Sequence, residues 1–62
     1  MLFKEEYNNA ESKIYEKRGW RVQNQFDGFT TLPDEFEVCD NEGKTLIDHL
    51  SIAQLVALAE IL

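Results

Sequence analysis

The sequence predicts an α+β fold: an N-terminal helix, an antiparallel β-meander of three or four strands, and a C-terminal apolar helix packed on the sheet. Apolar residues recur at helical spacing near the N-terminus, and apolar and polar residues alternate through the middle of the chain. An almost wholly apolar segment, SIAQLVALAEIL, closes the chain. Because 62 residues suffice for one small domain, we expect residues 1–62 to fold as a single unit.

The first helix is predicted from one apolar stripe and from a clear end. Four apolar residues recur at spacings that place them on one helix face: Phe3, Tyr7, Ala10 and Ile14. Gly19 follows two basic residues and suits the left-handed position after a helix C-terminus. The start of the helix stays open, because Asn8 or Asn9 could cap a shorter one.

The segment WRVQNQFDGFTTLP changes to the period of two that is typical of a half-buried strand. The Asp-Gly pair at residues 27–28 is a strong hairpin signal, because a type I′ turn needs positive φ at both central residues. A two-residue loop of this kind places Phe26 opposite Phe29, and Asn24 opposite Thr31.

A second turn is predicted at residues 33–34, after which EFEVCD alternates again. A loop at residues 41–43 then places Val38 opposite Leu46, so that both side chains share one face. The predicted inner face of the sheet carries seven apolar side chains: Trp20, Val22, Phe26, Phe29, Phe36, Val38 and Leu46.

The last helix begins near Ser51 or, one turn earlier, near Asp48. Ser51 and Gln54 have the spacing of a capping box. One face of this helix is expected to pack on the sheet. The opposite face carries Ala53, Ala57 and Ile61 where a surface helix normally carries charged residues.

A single small sheet cannot surround such a helix, so we expect a homodimer in which a second copy covers it; two-fold dimers are the commonest oligomers. The predicted dimer interface comprises seven residues: Ile52, Ala53, Leu55, Ala57, Leu58, Ile61 and Leu62. The alternative is a monomer in which the N-terminal helix covers the second face.

The net charge of −6 is unevenly distributed. Residues 1–21 contain five basic and four acidic groups, net +1, whereas residues 22–62 contain one basic and eight acidic groups, net −7. The acidic part disfavours nucleic acid and favours a basic protein partner. The predicted partner-binding residues are five acids: Asp34, Glu35, Glu37, Asp40 and Glu42. Solubility and protection of a strand edge are the alternative roles of these acids.

The sequence contains no recognisable catalytic or metal-binding set. Cys39 and His49 are single, which excludes an internal disulfide and leaves a structural zinc site without its usual ligands. We therefore expect a non-enzymatic protein without cofactor or metal. The lone cysteine and the absence of a signal peptide or an apolar run of membrane-spanning length predict a cytoplasmic location without membrane insertion.

The leading functional hypothesis is a protein-protein interaction module. Under this hypothesis, a small acidic homodimer binds a basic protein, such as one that binds nucleic acid, and can inhibit that protein by occupying its basic surface. The alternative is a regulator of DNA transactions that contacts nucleic acid itself. That alternative depends on four basic residues around the end of the first helix: Lys13, Lys17, Arg18 and Arg21.

Overall fold

Two helices pack on one face of a three-stranded sheet in the computed structural model, which describes residues 4–62. The elements are α1 (Lys4–Arg18), β1 (Arg21–Phe26), β2 (Thr31–Cys39), β3 (Thr45–Leu50) and α2 (Ile52–Ile61). The sheet is antiparallel in the order β1-β2-β3, so β2 is central. The predicted α+β fold, with the C-terminal helix packed on a meander, is confirmed.

The core joins the helices to the inner face of the sheet. Its buried side chains are Ala10, Ile14, Val22, Phe36, Val38, Leu55 and Ala59. The Tyr7 ring packs on that of Phe36, with 5.3 Å between the ring centroids. The single hydrogen of the Tyr7 hydroxyl has two acceptors within reach, the Val22 carbonyl oxygen at 2.9 Å and Glu11 Oε2 at 3.2 Å. Burial, aided by the Glu11 carboxylate, raises the pKa of Tyr7 to about 12, so this hydroxyl remains a donor at neutral pH.

The apolar stripe of α1 faces this core as predicted, with Ala10 and Ile14 buried; Phe3 lies outside the described residues. The helix runs through Asn8 and Asn9, so the shorter helix capped by either residue is wrong. Gly19 ends it with a φ of 74°, and its amide donates to the Tyr15 carbonyl oxygen at 2.8 Å.

The first hairpin has a wider loop than predicted. Phe26 pairs with Thr31 instead of Phe29, because the turn closes between Asp27 and Thr30, whose backbone amide and carbonyl oxygen are 3.2 Å apart. The loop therefore contains four residues, not two, and the type I′ turn is wrong. Phe29 lies in the loop and does not join the sheet.

Residues 32–35 bulge out of the central strand. Asn24 lies opposite Phe36 and not opposite the predicted threonine, and the register shifts immediately after it. Asn24 Nδ2 donates to the Leu32 carbonyl oxygen at 3.1 Å, so a side-chain amide replaces ladder hydrogen bonds here. The turn predicted at residues 33–34 is wrong: the chain continues as β2, and the bulge tolerates a proline that lacks an amide hydrogen.

The pairing of β2 with β3 contains two further register shifts, one on each side of Val38. Cys39 pairs with Thr45, but Val38 pairs with Ile47 instead of the predicted Leu46, because Leu46 is an extra residue on β3. Three of the side chains predicted to lie inside are consequently exposed: Phe26, Phe29 and Leu46. The other four are buried or pack against the core: Trp20, Val22, Phe36 and Val38.

The second helix begins with the predicted capping box. Ser51 Oγ accepts from the Gln54 amide at 3.2 Å, while Gln54 Oε1 accepts from the Ser51 amide at 2.8 Å. Ser51, not Asp48, is therefore the N-cap. At the other end, Lys17 Nζ of α1 donates to the Ala59 carbonyl oxygen at 2.9 Å, where the helix dipole favours a cation. Within residues 4–62, neither helix has the length and apolar character to span a membrane.

Replacing Phe36 by Ala is expected to lower the free energy of unfolding by about 3 to 5 kcal/mol, because a fully buried ring is removed and a cavity remains. A loss of this size approaches the whole stability of a domain this small, so the variant should be largely unfolded. Urea titration followed by far-UV circular dichroism measures it. The matched control, Phe29→Ala, removes an exposed ring and should change stability by no more than about 0.5 kcal/mol. Equal losses in both variants would contradict this core.

Candidate functional site

The five acids predicted to bind a partner lie on β2 and in the loop that follows it, but they do not form one continuous row. Asp34 and Glu42 are exposed, Glu35 is half-buried and Glu37 is buried. Successive side chains of a strand point to opposite faces of the sheet, and Phe36 points inward. Glu35 and Glu37, on either side of it, therefore lie on the outer face, away from the helices. The surroundings of each acid decide what it can do.

Glu37 is held by the sheet itself. It lies directly opposite Gln23 of β1, and Gln23 Nε2 donates to Glu37 Oε1. The thiol of Cys39 lies 3.9 Å from the same oxygen and 3.8 Å from the Thr45 hydroxyl. Only 9% of Glu37 is exposed, so its carboxylate belongs to a polar layer on the sheet and does not project freely toward a partner.

A second polar group connects all three strands on the outer face. Gln25 of β1 accepts from the His49 amide of β3 at 2.9 Å through Oε1, and the Gln25 side chain is buried. His49 has a φ of 54°, and its Nδ1 lies 3.0 Å from Glu35 Oε1 of β2. The sequence suggested no acid partner for His49 beyond its neighbour Asp48, so this pair was missed.

The pairing with Glu35 determines the titration of His49. The hydrogen bond that His49 donates to the Glu35 carboxylate raises the pKa of His49 above its ordinary value of 6.5, and nearby carboxylate charges act in the same direction. The imidazole is more than half exposed, so the pair is a surface contact open to solvent. Glu35 is therefore engaged by His49 while part of its carboxylate remains accessible.

Asp40 organises the β2–β3 loop. Its Oδ1 accepts from the Glu42 amide and from the Lys44 amide, both at 2.9 Å, and its own amide donates to the Lys44 carbonyl oxygen at 2.9 Å. Gly43 supplies the positive φ of 88° that this turn requires. The principal role of Asp40 is structural, which leaves Asp34 and Glu42 as the exposed acids of the predicted set.

The predicted dimer interface divides into three groups of side chains. Leu55 is fully buried in the core of its own chain and is not available to a second copy, which corrects the predicted list. The half-buried members pack against the core: Ile52, Leu58 and Leu62. The exposed members form what we call the α2 outer face: Ala53, Ala57 and Ile61, the last 80% exposed.

The N-terminal helix packs beside α2 without covering the α2 outer face. The side of α2 that faces α1 carries Val56 and Ala59. These two residues and Lys13 of α1 line a cleft between the helices. Three of the four predicted nucleic-acid-binding residues are exposed, and their side chains make no hydrogen bond to residues 4–62: Lys13, Arg18 and Arg21. The fourth, Lys17, ties α1 to the end of α2.

A groove of about 420 Å³ lies between α1 and the edge strand β1, and sequence reasoning did not find it. Tyr15 and Trp20 line it together with Glu11 and Arg21, so its walls carry both charges. Among residues 4–62, no three His, Cys, Asp or Glu side chains converge on a position that could hold a metal ion. Each buried side-chain nitrogen or oxygen in this part of the chain has a hydrogen-bond partner.

No protein-family model, curated protein or solved structure matches this chain. Its function must therefore be argued from charge, exposure and geometry.

Replacing Glu35 by Gln is expected to lower the pKa of His49 toward 6.5, because the hydrogen bond to the Glu35 carboxylate is the main cause of the raised value. A raised folded-state pKa stabilises the fold below the unfolded pKa, and the contribution is lost as pH rises through the folded value. An NMR titration of the single histidine measures the shift directly. Glu42→Gln is the control and should leave the His49 pKa unchanged. An unaltered His49 pKa in Glu35→Gln would disprove the pairing.

Proposed function

We propose that this chain is a non-enzymatic interaction protein: a small acidic homodimer that binds a basic protein and can thereby inhibit it. The observation that carries the proposal is the distribution of charge. Residues 22–43 run from the second residue of β1 through β2 to Gly43 in the following loop, and they contain six acidic residues and no lysine or arginine. A cytoplasmic location fits a chain with one unpaired cysteine.

The accessible acids support recognition of a basic surface. Asp34 lies within β2 and Glu42 in the loop that follows it; both are exposed, and Glu35, next to Asp34, remains partly accessible. A surface of one sign speeds the encounter with a partner of the opposite sign and disfavours partners of like charge. Nucleic acid is such a like-charged partner, so a protein is the better candidate.

The α2 outer face supports the homodimer. Ile61 is a large aliphatic residue that is 80% exposed, and it continues a row with Ala53 and Ala57 at intervals of one helical turn. The two alanines allow close approach of another helix. Because an interface built by two-fold symmetry uses the same patch twice, one exposed helix face is sufficient to form it.

The dimer is tested by placing a charge on this face. Ile61→Glu is expected to weaken dimerisation at least about tenfold, because a carboxylate would be buried against the same face of the second copy. Sedimentation equilibrium should give about twice the 7.2 kDa chain mass for the unaltered protein and one chain mass for the variant at equal concentration.

Leu46→Glu is the matched control for the dimer, because it changes another exposed aliphatic residue outside α2 and should leave dimerisation intact. A 7.2 kDa particle formed by the unaltered protein at micromolar concentration would overturn the dimer.

Binding to a basic partner is tested by reversing the exposed acids. Asp34→Lys combined with Glu42→Lys is expected to weaken the binding of a fluorescent oligolysine peptide at least about tenfold at low salt, because attraction becomes repulsion. Fluorescence anisotropy measures the dissociation constant, and circular dichroism checks the fold.

The matched control for charge reversal is Glu5→Lys combined with Glu16→Lys. It changes net charge equally on the exposed side of α1. This control should retain most of the peptide binding. An equal loss in both double variants would show that net charge alone attracts the peptide, and the acidic site would be withdrawn.

A further inference from the structure

The loop between β1 and β2 presents an aromatic ring to solvent. Phe29 is 95% exposed, and Phe26 at the end of β1 is 56% exposed. Isolated exposed apolar residues are common on proteins, but a pair of phenylalanines at one loop is a larger apolar surface than a solvated turn requires. No core contact explains Phe29, since the hydrophobic core of residues 4–62 does not include it.

The loop holds Phe29 in a defined position. Asp27 Oδ1 accepts from the Phe29 amide and from the Thr30 amide, both at 2.9 Å. The Asp27 amide closes the turn on the Thr30 carbonyl oxygen at 3.2 Å, and Gly28 adopts a φ of 102°. The backbone amides lower the pKa of Asp27, so these bonds persist at neutral pH. A loop ordered before binding loses less conformational entropy when it binds.

We propose that Phe29 is the anchor with which this chain binds its partner, a protein with an apolar pocket bordered by lysine or arginine. The inference rests on the proposed function and specifies the contact that function would use. Aromatic side chains that enter a pocket at the centre of an interface commonly dominate its affinity.

The charges around the loop determine the partner chemistry. Asp27 is in the loop, and Asp34 and Glu35 both lie in the bulge of β2 at the same end of the sheet. The nearest lysine or arginine in sequence on either side is Arg21 or Lys44. A pocket with a basic border complements this arrangement, whereas an anionic membrane surface would repel it.

The probe is a fluorescein-labelled amphipathic helix of leucine and lysine, which combines an apolar face with basic borders. Phe29→Ala is expected to weaken its binding at least about tenfold in fluorescence anisotropy, because the anchoring ring is lost. Phe29→Leu should restore most of the affinity. Tyr15→Ala is the matched control: it removes another exposed ring, on α1, and should change affinity less than about twofold.

The charge-reversal variant of Asp34 and Glu42 is measured with the same probe. If it weakens binding while Phe29→Ala does not, the anchor is wrong and the proposed function stands. If neither variant weakens binding, both are wrong. Equal binding of a leucine and glutamate helix would overturn the basic border.

Two further outcomes would overturn the anchor in favour of another role for the ring. One is binding to phosphatidylcholine vesicles that Phe29→Ala abolishes, which would assign the loop to a membrane. The other is a change in the sedimentation mass of Phe29→Ala, which would assign it to self-association. Retained mass and absent vesicle binding, together with the loss of peptide binding, support the proposal.

Discussion

The fold depends on the burial of Phe36 at the centre of β2. Its ring is fully buried and packs against Tyr7 of α1, and the core around it also includes Leu55 of α2. Both helices therefore share the same inner face of a three-stranded sheet. Since strand side chains alternate, the burial of Phe36 places Glu35 and Glu37 on the other face. A single packing requirement thus determines which side of β2 is apolar and which is acidic.

The outer face has no helix to cover it, and cross-strand hydrogen bonds stabilise it instead. Gln23 binds Glu37, and Gln25 reaches the His49 amide on the far strand. A polar side chain can be buried on a sheet when it has hydrogen-bond partners, and every buried side-chain nitrogen or oxygen of residues 4–62 has one. A carboxylate that looks like a binding residue in the sequence is therefore part of the sheet's own cohesion.

The sequence predicts what local rules determine and fails where side chains act over a distance. The stripe of α1 and the capping box at Ser51 follow from spacings of a few residues; the capping box is confirmed, and so is the stripe from Tyr7 to Ile14. The predicted strand register was wrong. The actual register depends on the hydrogen bond from Asn24 to the Leu32 carbonyl oxygen and on the extra residue Leu46, and the alternation of apolar and polar residues reveals neither. One inserted residue turns the following side chains to the other face. Phe29 was wrongly predicted to lie inside for a related reason. Asp27 caps a four-residue loop instead of occupying a two-residue turn, and this leaves Phe29 exposed in the loop.

The two proposed surfaces use different residues, which has a consequence for affinity. A dimer formed through Ala53, Ala57 and Ile61 involves no residue of the β1–β2 loop, so it leaves a Phe29 available on each copy. Two anchors on one rigid dimer make the second binding event intramolecular whenever the partner offers two pockets at a matching distance. A weak contact by one small loop then becomes a strong one without any additional interface. On this view the apolar face of α2 contributes to recognition indirectly, by doubling a binding element that one 62-residue chain can present only once.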